Sequence, residues 1–348
     1  MRKVLDTAPL AVTLFLCLYL VLSLAATSLA APSNPVKKPT SNAGLTALGT
    51  GGEVGDAAPT FPLKEIEKAP PLKEETIEAS VSVGDALGRV SEVFLSPYGA
   101  AIKYENIYMR NATGVAVDVK NELKTGRKKL TYNEKEPLVL IVHTHATECY
   151  METERGFYTA DDKTRNTDNN KNVTAVGERL KKLLEEEGIG VVHDRTHHDN
   201  PEYNGSYSRS AKTINEYLKK YPSIKIVIDL HRDSISGEGN EKLKPTVTVD
   251  GKKAAQVMLV MGSQTGTVTD FPNWKQNFRL ALLFQQKMEQ MYPGLARPMY
   301  LVSRIYNQNL TEGSMILEVG TEANTLEEAL YSADLAGAAL VALLEDMK

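Results

Sequence analysis

The segment that decides the fold reads Leu138-Val-Leu-Ile-Val-His143-Thr-His145-Ala-Thr-Glu148. An uninterrupted apolar run of this length is typical of a strand buried on both faces of a parallel sheet. Polar side chains able to bind metals follow it at once. In open α/β sheets, ligands bind beyond the carboxyl ends of the strands. The segment therefore predicts a central strand and one part of a functional site.

Strands and helices alternate from residue 136 onward. Further strands are predicted at 189–193, 224–230, 255–261, 299–302 and 315–319. Helices are predicted at 173–187, 211–221, 276–292 and 326–347. This alternation predicts an α/β domain, a three-layer sandwich with a largely parallel sheet.

Composition and charge exclude several classes of protein. The 348 residues are 42% hydrophobic and 24% charged, as in a globular protein. The net charge of −4 comes without a basic stripe, so no nucleic-acid partner is predicted. The two cysteines, Cys17 and Cys149, cannot provide a disulfide framework. The fold must therefore be stabilised by a hydrophobic core or a metal.

The N-terminal residues predict export. Residues 8–31 form an apolar run that carries no charge. This run is long enough to span a bilayer, so residues 1–31 are predicted to be a transmembrane anchor. The run ends in Ser28-Leu-Ala-Ala31, which also suits a cleaved signal peptide. We favour the anchor because the apolar run exceeds a usual signal core. On either interpretation the rest of the chain lies outside the cytoplasm.

Three further regions follow the apolar segment. Residues 32–80 are rich in Pro, Gly, Ser, Thr, Lys and Glu and predict a disordered tether. Residues 81–135 contain short mixed segments and predict a small accessory region. Residues 136–348 are predicted to form the catalytic domain.

Two other strands also lead into polar side chains. They read Val227-Ile-Asp229-Leu-His231 and Met315-Ile-Leu-Glu318. A catalytic zinc ion usually has three protein ligands and one position for water. His145, Glu148 and His231 are predicted to hold Zn²⁺. Glu318 is predicted to take a proton from the water and pass it to the leaving nitrogen.

Several neighbouring residues leave alternatives open. His143 would lie on the same side of an extended chain as His145. His145 has the compact spacing to Glu148, so we assign His143 a role in supporting a metal ligand or a structural role. Asp229 is predicted to orient His231 or to form a structural ion pair. Arg209 is predicted to bind a substrate carboxylate or carbonyl, or to bridge loops.

A second cluster, His193, His197 and His198, could mimic another metal site. It lies in a polar loop rich in charged residues. We therefore predict no ligation there.

The sequence resembles the stage II sporulation protein P family. The resemblance is carried by the segments Leu140-Ile-Val-His-Thr-His-Ala-Thr-Glu-Cys-Tyr150, Asn204-Gly-Ser-Tyr-Ser-Arg-Ser210, Ile228-Asp-Leu-His-Arg-Asp-Ser234, Tyr306-Asn-Gln308, Ile316-Leu-Glu-Val-Gly320 and Asn324-Thr-Leu-Glu-Glu-Ala329. It covers the region from about Leu138 to the C-terminus.

The resemblance implies a zinc N-acetylmuramoyl-L-alanine amidase that also has endopeptidase activity on cross-linked stem peptides. It implies a fold similar to that of the zinc amidases of cell-wall turnover. It further implies a single N-terminal membrane helix and action on peptidoglycan at the sporulation septum during engulfment. The implied partners are the sporulation proteins D, a lytic transglycosylase, and M, a membrane scaffold.

The order of the site residues is also similar to that of zinc carboxypeptidases. In those enzymes H-x-x-E supplies two ligands, a strand-terminal His supplies the third and a strand Glu is the base. This similarity favours His145 over His143. In cell-wall amidases the ligand Glu lies farther along the chain, so an acid between Asp161 and Glu178 could replace Glu148.

The sequence therefore predicts a peptidoglycan hydrolase that uses zinc-activated water. Two rival interpretations remain. One is a carboxypeptidase-like peptidase that trims stem peptides. The other is a non-catalytic scaffold that binds peptidoglycan.

Overall fold

The computed structural model of the protein describes residues 85–125, 129–133, 135–265 and 267–348. The predicted anchor at 1–31 and the predicted tether at 32–80 lie outside these residues. Within the described part of the chain, no helix combines the length and apolar composition that a membrane span requires. All described residues fall within one structural unit.

The described residues form twelve strands and five α-helices. The strands are β1 (Gly88–Val93), β2 (Ile102–Tyr104), β3 (Ile107–Asn111), β4 (Val139–Val142), β5 (Phe157–Tyr158), β6 (Val191–His193), β7 (Ile226–Asp233), β8 (Glu241–Val249), β9 (Lys252–Ala255), β10 (Val257–Gly262), β11 (Met299–Val302) and β12 (Ser314–Thr321). The helices are α1 (Val119–Lys124), α2 (Val173–Glu186), α3 (Ser206–Lys220), α4 (Trp274–Met291) and α5 (Leu326–Asp346).

The main sheet has eight strands in the order β2-β3-β11-β10-β12-β7-β4-β6. Five neighbouring pairs are parallel. The pairs β2–β3 and β10–β12 are antiparallel. The predicted α/β class is confirmed, and the sheet consists of two parallel blocks that meet in opposite directions at β10 and β12. The sequence did not predict this reversal, because an apolar run carries no information on strand direction.

Helices cover both faces of the sheet around β4. Val139 and Ile141 point into the core that contains side chains of α2, α4 and α5. Leu140 and Val142 point to the opposite face, where they pack with Ile214 of α3. The alternation of side chains along a strand thus separates two apolar layers. The result is three layers, with α3 on the face that bears the candidate site.

Helix boundaries follow local capping. The hydroxyl of Thr325 accepts a hydrogen bond from the Glu328 N–H, and the Glu328 carboxylate accepts one from the Thr325 N–H. This capping box starts α5 at the predicted residue. Helix α3 begins at Ser206, five residues earlier than predicted. Its N-cap, Gly205, has a φ of 81°, a left-handed conformation that glycine adopts at little cost.

A second sheet has the order β5-β1-β8-β9. Strand β1 runs parallel to β8 and antiparallel to β5. The predicted accessory region, 81–135, thus contributes β1 to this sheet, and it adds β2 and β3 to the main sheet beside β11. The domain boundaries stay a prediction, but these strands pair directly with strands of the predicted catalytic domain.

Gly177 lies where α2 packs against His143, the residue that follows β4. A Cβ atom there would lie 2.7 Å from Nε2 of both His143 and His193. These imidazoles are buried and their Nε2 atoms are 2.8 Å apart, so neither ring can move without disturbing the other. Alanine gains about 1 kcal/mol over glycine in a helix. Overpacking costs about 1–3 kcal/mol. We expect Gly177→Ala to lower the free energy of unfolding.

Urea unfolding of the full chain measures this difference. Gly99→Ala is the matched control, because a Cβ atom at Gly99 would meet nothing within 4 Å. The control should change the free energy of unfolding little. A Gly177→Ala protein at least as stable as the wild type would contradict the close packing.

Candidate metal centre

A pocket of about 230 Å³ lies on the sheet face that carries α3. The loop after β4 contributes His145 and Glu148, and β7 contributes His231. Strand β12 contributes Glu318, and the first turn of α3 contributes Tyr207. The three segments singled out in the sequence therefore meet in one pocket.

The pocket lies on the face of the sheet near the carboxyl ends of the strands, and not beyond them. His231 precedes the last residue of β7 by two positions, and Glu318 precedes the last residue of β12 by three. The two are neighbours in the parallel register of β7 and β12. Pairing thus holds these side chains next to each other.

Glu148 lies between two imidazoles. Its Oε1 atom is 3.6 Å from His145 Nδ1, and its Oε2 atom is 3.4 Å from His231 Nδ1. The two rings are nearly perpendicular, with centroids 5.1 Å apart. All three side chains are buried, and one ligand atom from each lies within 4.8 Å of the others. Within the described residues, this is the group of three that could hold a metal ion.

Backbone contacts fix this geometry. The chain turns directly after β4, and the Glu148 N–H donates to the His145 carbonyl at 3.1 Å. The Glu148 carbonyl accepts from the N–H of Val173, the first residue of α2. The two candidate ligands of the H-x-x-E segment are therefore held by the loop between the central strand and the next helix.

The donor set fits a zinc ion. Two imidazoles and one carboxylate are a known ligand set of catalytic zinc. Burial, and then the charge of His231, lower the pKa of His145 to about 4, so this imidazole is neutral at pH 7. Burial alone would raise the pKa of Glu148, but the hydrogen bond and charge of His231 hold it at about 2. A neutral imidazole and an ionised carboxylate are the forms that bind metals.

Asp229 orients His231 through the ring nitrogen that does not face Glu148. Its Oδ1 atom lies 2.8 Å from His231 Nε2. The same carboxylate accepts hydrogen bonds from the backbone N–H and the hydroxyl of Thr144, at 2.8 and 2.6 Å. The Thr144 hydroxyl also contacts Ser210 Oγ at 2.7 Å. This chain of contacts fixes the His231 ring so that Nδ1 faces Glu148, as an outer partner of a metal ligand does.

These contacts set the charges of the pair. Burial by itself would raise the pKa of Asp229, but His231 and Thr144 hold it at about 2. Burial by itself would lower the pKa of His231, but Asp229 and Glu148 raise it well above its ordinary value. Without a metal, a cationic His231 therefore lies between two carboxylates.

Glu318 has a different environment in the same pocket. Burial raises its pKa to about 8; Asp233 and Glu148 add to this effect, and His231 opposes it. Its Oε2 atom is buried and has no hydrogen-bond partner among the described residues. A carboxyl group with a free oxygen and a pKa near neutrality can accept and return a proton.

His143 points away from the pocket. Its Nδ1 atom lies 2.8 Å from the Leu230 carbonyl oxygen, and its Nε2 atom lies 2.8 Å from His193 Nε2. Both ring nitrogens thus have partners outside the group of His145, Glu148 and His231. His143 and His145 do not lie on the same side of the chain, because it leaves the extended conformation directly after Val142. These contacts favour the structural role.

Three of the four acids from Asp161 to Glu178 have other partners. Glu178 Oε2 is 3.0 Å from His193 Nδ1, and Asp162 binds Arg155 and Thr159. Asp168 accepts from the backbone N–H of Asn170. The structure thus places Glu148, and not an acid from this region, beside the two histidines.

The second histidine cluster is dispersed. His198 contacts the His143 carbonyl oxygen and Thr213, and His197 contacts Asn169. His193 faces His143 and Glu178. These three imidazoles point to different partners and do not share one centre.

Arg209 does not face the pocket. Its guanidinium group donates to the backbone carbonyls of Glu202, Asn204 and His198. It therefore bridges the loop before α3, which was the alternative to substrate binding. Among the described residues, no contact of Arg209 supports its predicted role in substrate binding.

Three residues in the first turn of α3 and in the loop before it contact His145, and none of them was predicted to do so. Tyr203 stacks on His145 with ring centroids 4.6 Å apart, and Ser206 Oγ is 3.1 Å from His145 Nε2. Tyr207 meets His145 edge-on at 5.6 Å, and burial raises its pKa, so its hydroxyl stays protonated. The available signal was Gly205, because a helix that starts at the next residue puts Ser206 and Tyr207 in its first turn.

Arg165 was also missed. Its guanidinium carbon lies 4.8 Å above the Tyr203 ring, on which His145 stacks in turn. The group pairs with Asp199, and Nη2 is 3.9 Å from Glu148 Oε1. A single arginine in a polar loop gives no signal in the sequence, because its position depends on the pairing of Glu148 with residue 165.

Fold and site together define an α/β protein with a candidate metal centre of two histidines and one glutamate. The chain belongs to the stage II sporulation protein P family, since the family model "Stage II sporulation protein P" matches residues 98–340. This confirms the resemblance seen in the sequence. The Stage II sporulation protein P of Bacillus subtilis (strain 168) is 31% identical over 227 residues, which are 62% of this chain and 53% of that protein. The chain thus matches about half the length of this relative.

Several solved structures share part of the arrangement of helices and strands. Ami1, an N-acetylmuramyl-L-alanine amidase from Mycobacterium abscessus, is 13% identical, with 61% of this chain and 98% of that chain covered and a TM-score of 0.36. The CwlD amidase from Clostridioides difficile, solved in complex with the GerS lipoprotein, is 13% identical, with 60% and 97% covered and a TM-score of 0.37.

Loss of either histidine should abolish stable metal binding. We expect His145→Ala and His231→Ala to lower zinc affinity by more than the roughly 10- to 100-fold that loss of an outer partner costs. Metal analysis of the full chain after dialysis measures this. His197→Ala, which removes an imidazole outside the group, is the matched control and should keep the wild-type zinc content. Full zinc retention by both site variants would contradict the centre.

Loss of the Asp229 charge should weaken the metal without removing it. An amide offers one acceptor oxygen and cannot serve His231 and both Thr144 donors. We expect Asp229→Asn to lower zinc affinity about 10- to 100-fold. Competition with a chromogenic chelator gives the affinity. Asp194→Asn changes another buried acid outside the pocket and should have no effect; an equal loss in both variants would show a general effect on folding.

Proposed function

We propose that this protein is a zinc-dependent peptidoglycan hydrolase. It cleaves the amide that joins N-acetylmuramic acid to the L-alanine of the stem peptide, and it also acts on stem-peptide cross-links. The observation that carries this proposal is the pocket in which three metal-binding side chains and the unpartnered Glu318 carboxyl group lie together. Membership of the stage II sporulation protein P family supports the choice of substrate.

His145, Glu148 and His231 would hold the metal ion. Bound there, zinc would polarise the scissile carbonyl and lower the pKa of a water molecule in the pocket. Asp229 and Ser206 contact the outer nitrogens of the two imidazoles and keep the rings in place. The loop after β4 and strand β7 thus provide a rigid ligand set.

Glu318 performs the proton transfers. Its carboxylate takes a proton from the attacking water, and the resulting acid gives that proton to the departing alanine nitrogen. Burial favours the neutral acid between these two steps. The protonated Tyr207 hydroxyl, which lies in the same pocket, can donate a hydrogen bond to the substrate carbonyl oxygen.

The cellular setting follows from the same proposal. The segment at 1–31 anchors the chain in the cell membrane as a single span, and the tether at 32–80 lets the hydrolase reach the wall outside the cytoplasm. The protein acts at the sporulation septum during engulfment, together with the sporulation proteins D and M. Its partners are therefore peptidoglycan and membrane proteins, and not nucleic acid.

Digestion of purified sacculi with the zinc-loaded full chain tests the activity. Mass spectrometry should find free stem peptides with an N-terminal alanine, and glycan strands that have lost them. Stem peptides shortened from the carboxyl end would indicate the carboxypeptidase-like alternative. Sacculi that bind the protein but remain unchanged would indicate the scaffold.

Glu318→Gln should separate metal binding from proton transfer. The amide cannot accept the proton, so we expect the hydrolysis rate to fall about 10²- to 10⁴-fold while zinc stays bound. Glu322→Gln is the matched control, because Glu322 is a buried acid close in sequence that does not line the pocket. Loss of zinc from Glu318→Gln would make Glu318 a ligand and would contradict its role as a base.

A further inference from the structure

A second pocket, of about 450 Å³, lies beside the metal centre. The loop from Tyr158 to Arg165 forms one wall, and Lys242 of β8 forms another. Strand β5, which begins this loop, pairs with β1, and β1 pairs with β8. The small sheet therefore holds the two walls together.

The pocket is cationic. Lys163, Arg165 and Lys242 line it, and the lining acid, Asp162, is already bound by Arg155 and by the backbone N–H of Thr159. Among the described residues, Lys163 and Lys242 form no ion pair. Lys242 Nζ lies 4.1 Å from the centroid of the Tyr158 ring, a contact that holds the ammonium group at the wall. Arg165 pairs with Asp199, so Lys163 and Lys242 provide the positive charge that this chain does not neutralise.

Arg165 joins this pocket to the metal centre. It lines the second pocket, and its Nη2 atom is 3.9 Å from Oε1 of Glu148. Tyr203, which lies under the Arg165 guanidinium, stacks on His145. A ligand that passes Arg165 would therefore reach from one pocket into the other.

The proposed substrate carries negative charges on one side of the scissile bond, and these are complementary to the cationic pocket. The glycan side carries mainly hydroxyl and acetamido groups. The peptide side continues from L-alanine into residues that bear free carboxylates, at a spacing of about 3.3–3.6 Å per extended residue. Lysine and arginine side chains bind carboxylates, and they would repel a cationic ligand.

We infer that the pocket of Lys163, Arg165 and Lys242 is a subsite for the acidic stem peptide. This inference rests on the proposed function and assigns a direction to the substrate. The glycan lies on the far side of the metal centre, and the carboxylates next to L-alanine lie against the lysines. The small sheet is then part of the substrate-binding surface.

Binding of a peptide without a scissile bond tests the subsite independently of hydrolysis. The probes are the tripeptide L-Ala-γ-D-Glu-diaminopimelate and the same peptide with the D-Glu carboxylate amidated. Calorimetry with the zinc-loaded full chain at low salt should show tighter binding of the acidic peptide. Lys163→Glu/Lys242→Glu should weaken it about fivefold or more, since an exposed ion pair contributes up to about 1 kcal/mol. Lys219→Glu/Lys220→Glu, at the end of α3, is the control of equal charge and should bind like the wild type.

Hydrolysis of the corresponding muramoyl tripeptide gives a second readout. The double variant at Lys163 and Lys242 should raise KM for the acidic substrate and leave kcat unchanged, because both lysines lie away from the reacting atoms. Equal binding of the two peptides by the wild type, or equal loss in both double variants, would overturn the subsite. A glycerol phosphate polymer that displaces the tripeptide at a lower concentration would also overturn it, in favour of an anionic wall polymer.

The two proposals fail separately. Charge-dependent peptide binding without hydrolysis by the wild type would refute the hydrolase and support the subsite. Hydrolysis that is indifferent to the peptide carboxylate would support the hydrolase and refute the subsite.

Discussion

The rest of the site depends on the position of Glu148 between the imidazoles of His145 and His231. A buried carboxylate without a partner costs several kcal/mol, so this arrangement requires positive charge close by. Glu148 and Glu318 line one pocket, and Asp229 contacts His231 next to it. The pKa of His231 is raised above its ordinary value, whereas burial lowers that of His145. Burial raises the pKa of Glu318 to about 8, and the neighbouring acidic groups add to this effect. The same excess of acidic groups favours a cation at the centre.

Much of the fold was predictable, because the pattern of apolar residues reports local structure directly. The central strand at 139–142 and the helices α2, α4 and α5 begin or end within two residues of their predicted limits. The positions of His231 and Glu318 in strands were predictable for a related reason. Each follows an apolar run that is typical of a buried strand. The pairing of β7 with β12 then places them next to each other.

The rest required the three-dimensional structure, because it depends on contacts between distant segments. Nothing in the run at 257–262 specifies that β10 opposes β12. The sequence favoured His145 over His143 by its spacing to Glu148, and the turn after Val142 separates the two side chains. Arg209 was predicted to bind substrate because of its charge, yet its guanidinium group donates to three backbone carbonyls. Tyr203, Tyr207 and Arg165 lie near the centre because of packing between distant segments, which no sequence motif predicts.

The position of the pocket on the sheet face has a geometric consequence. Val260, Val302 and Ile316 form an apolar layer on this face, with Met258 and Tyr300 partly buried around it. Val260 and Ile316 also line the metal pocket, so the apolar layer forms part of its wall. A charged group of a ligand that lay against this wall would lose its hydration without gaining a partner. The geometry therefore directs the charged groups of a ligand towards the metal-binding side chains.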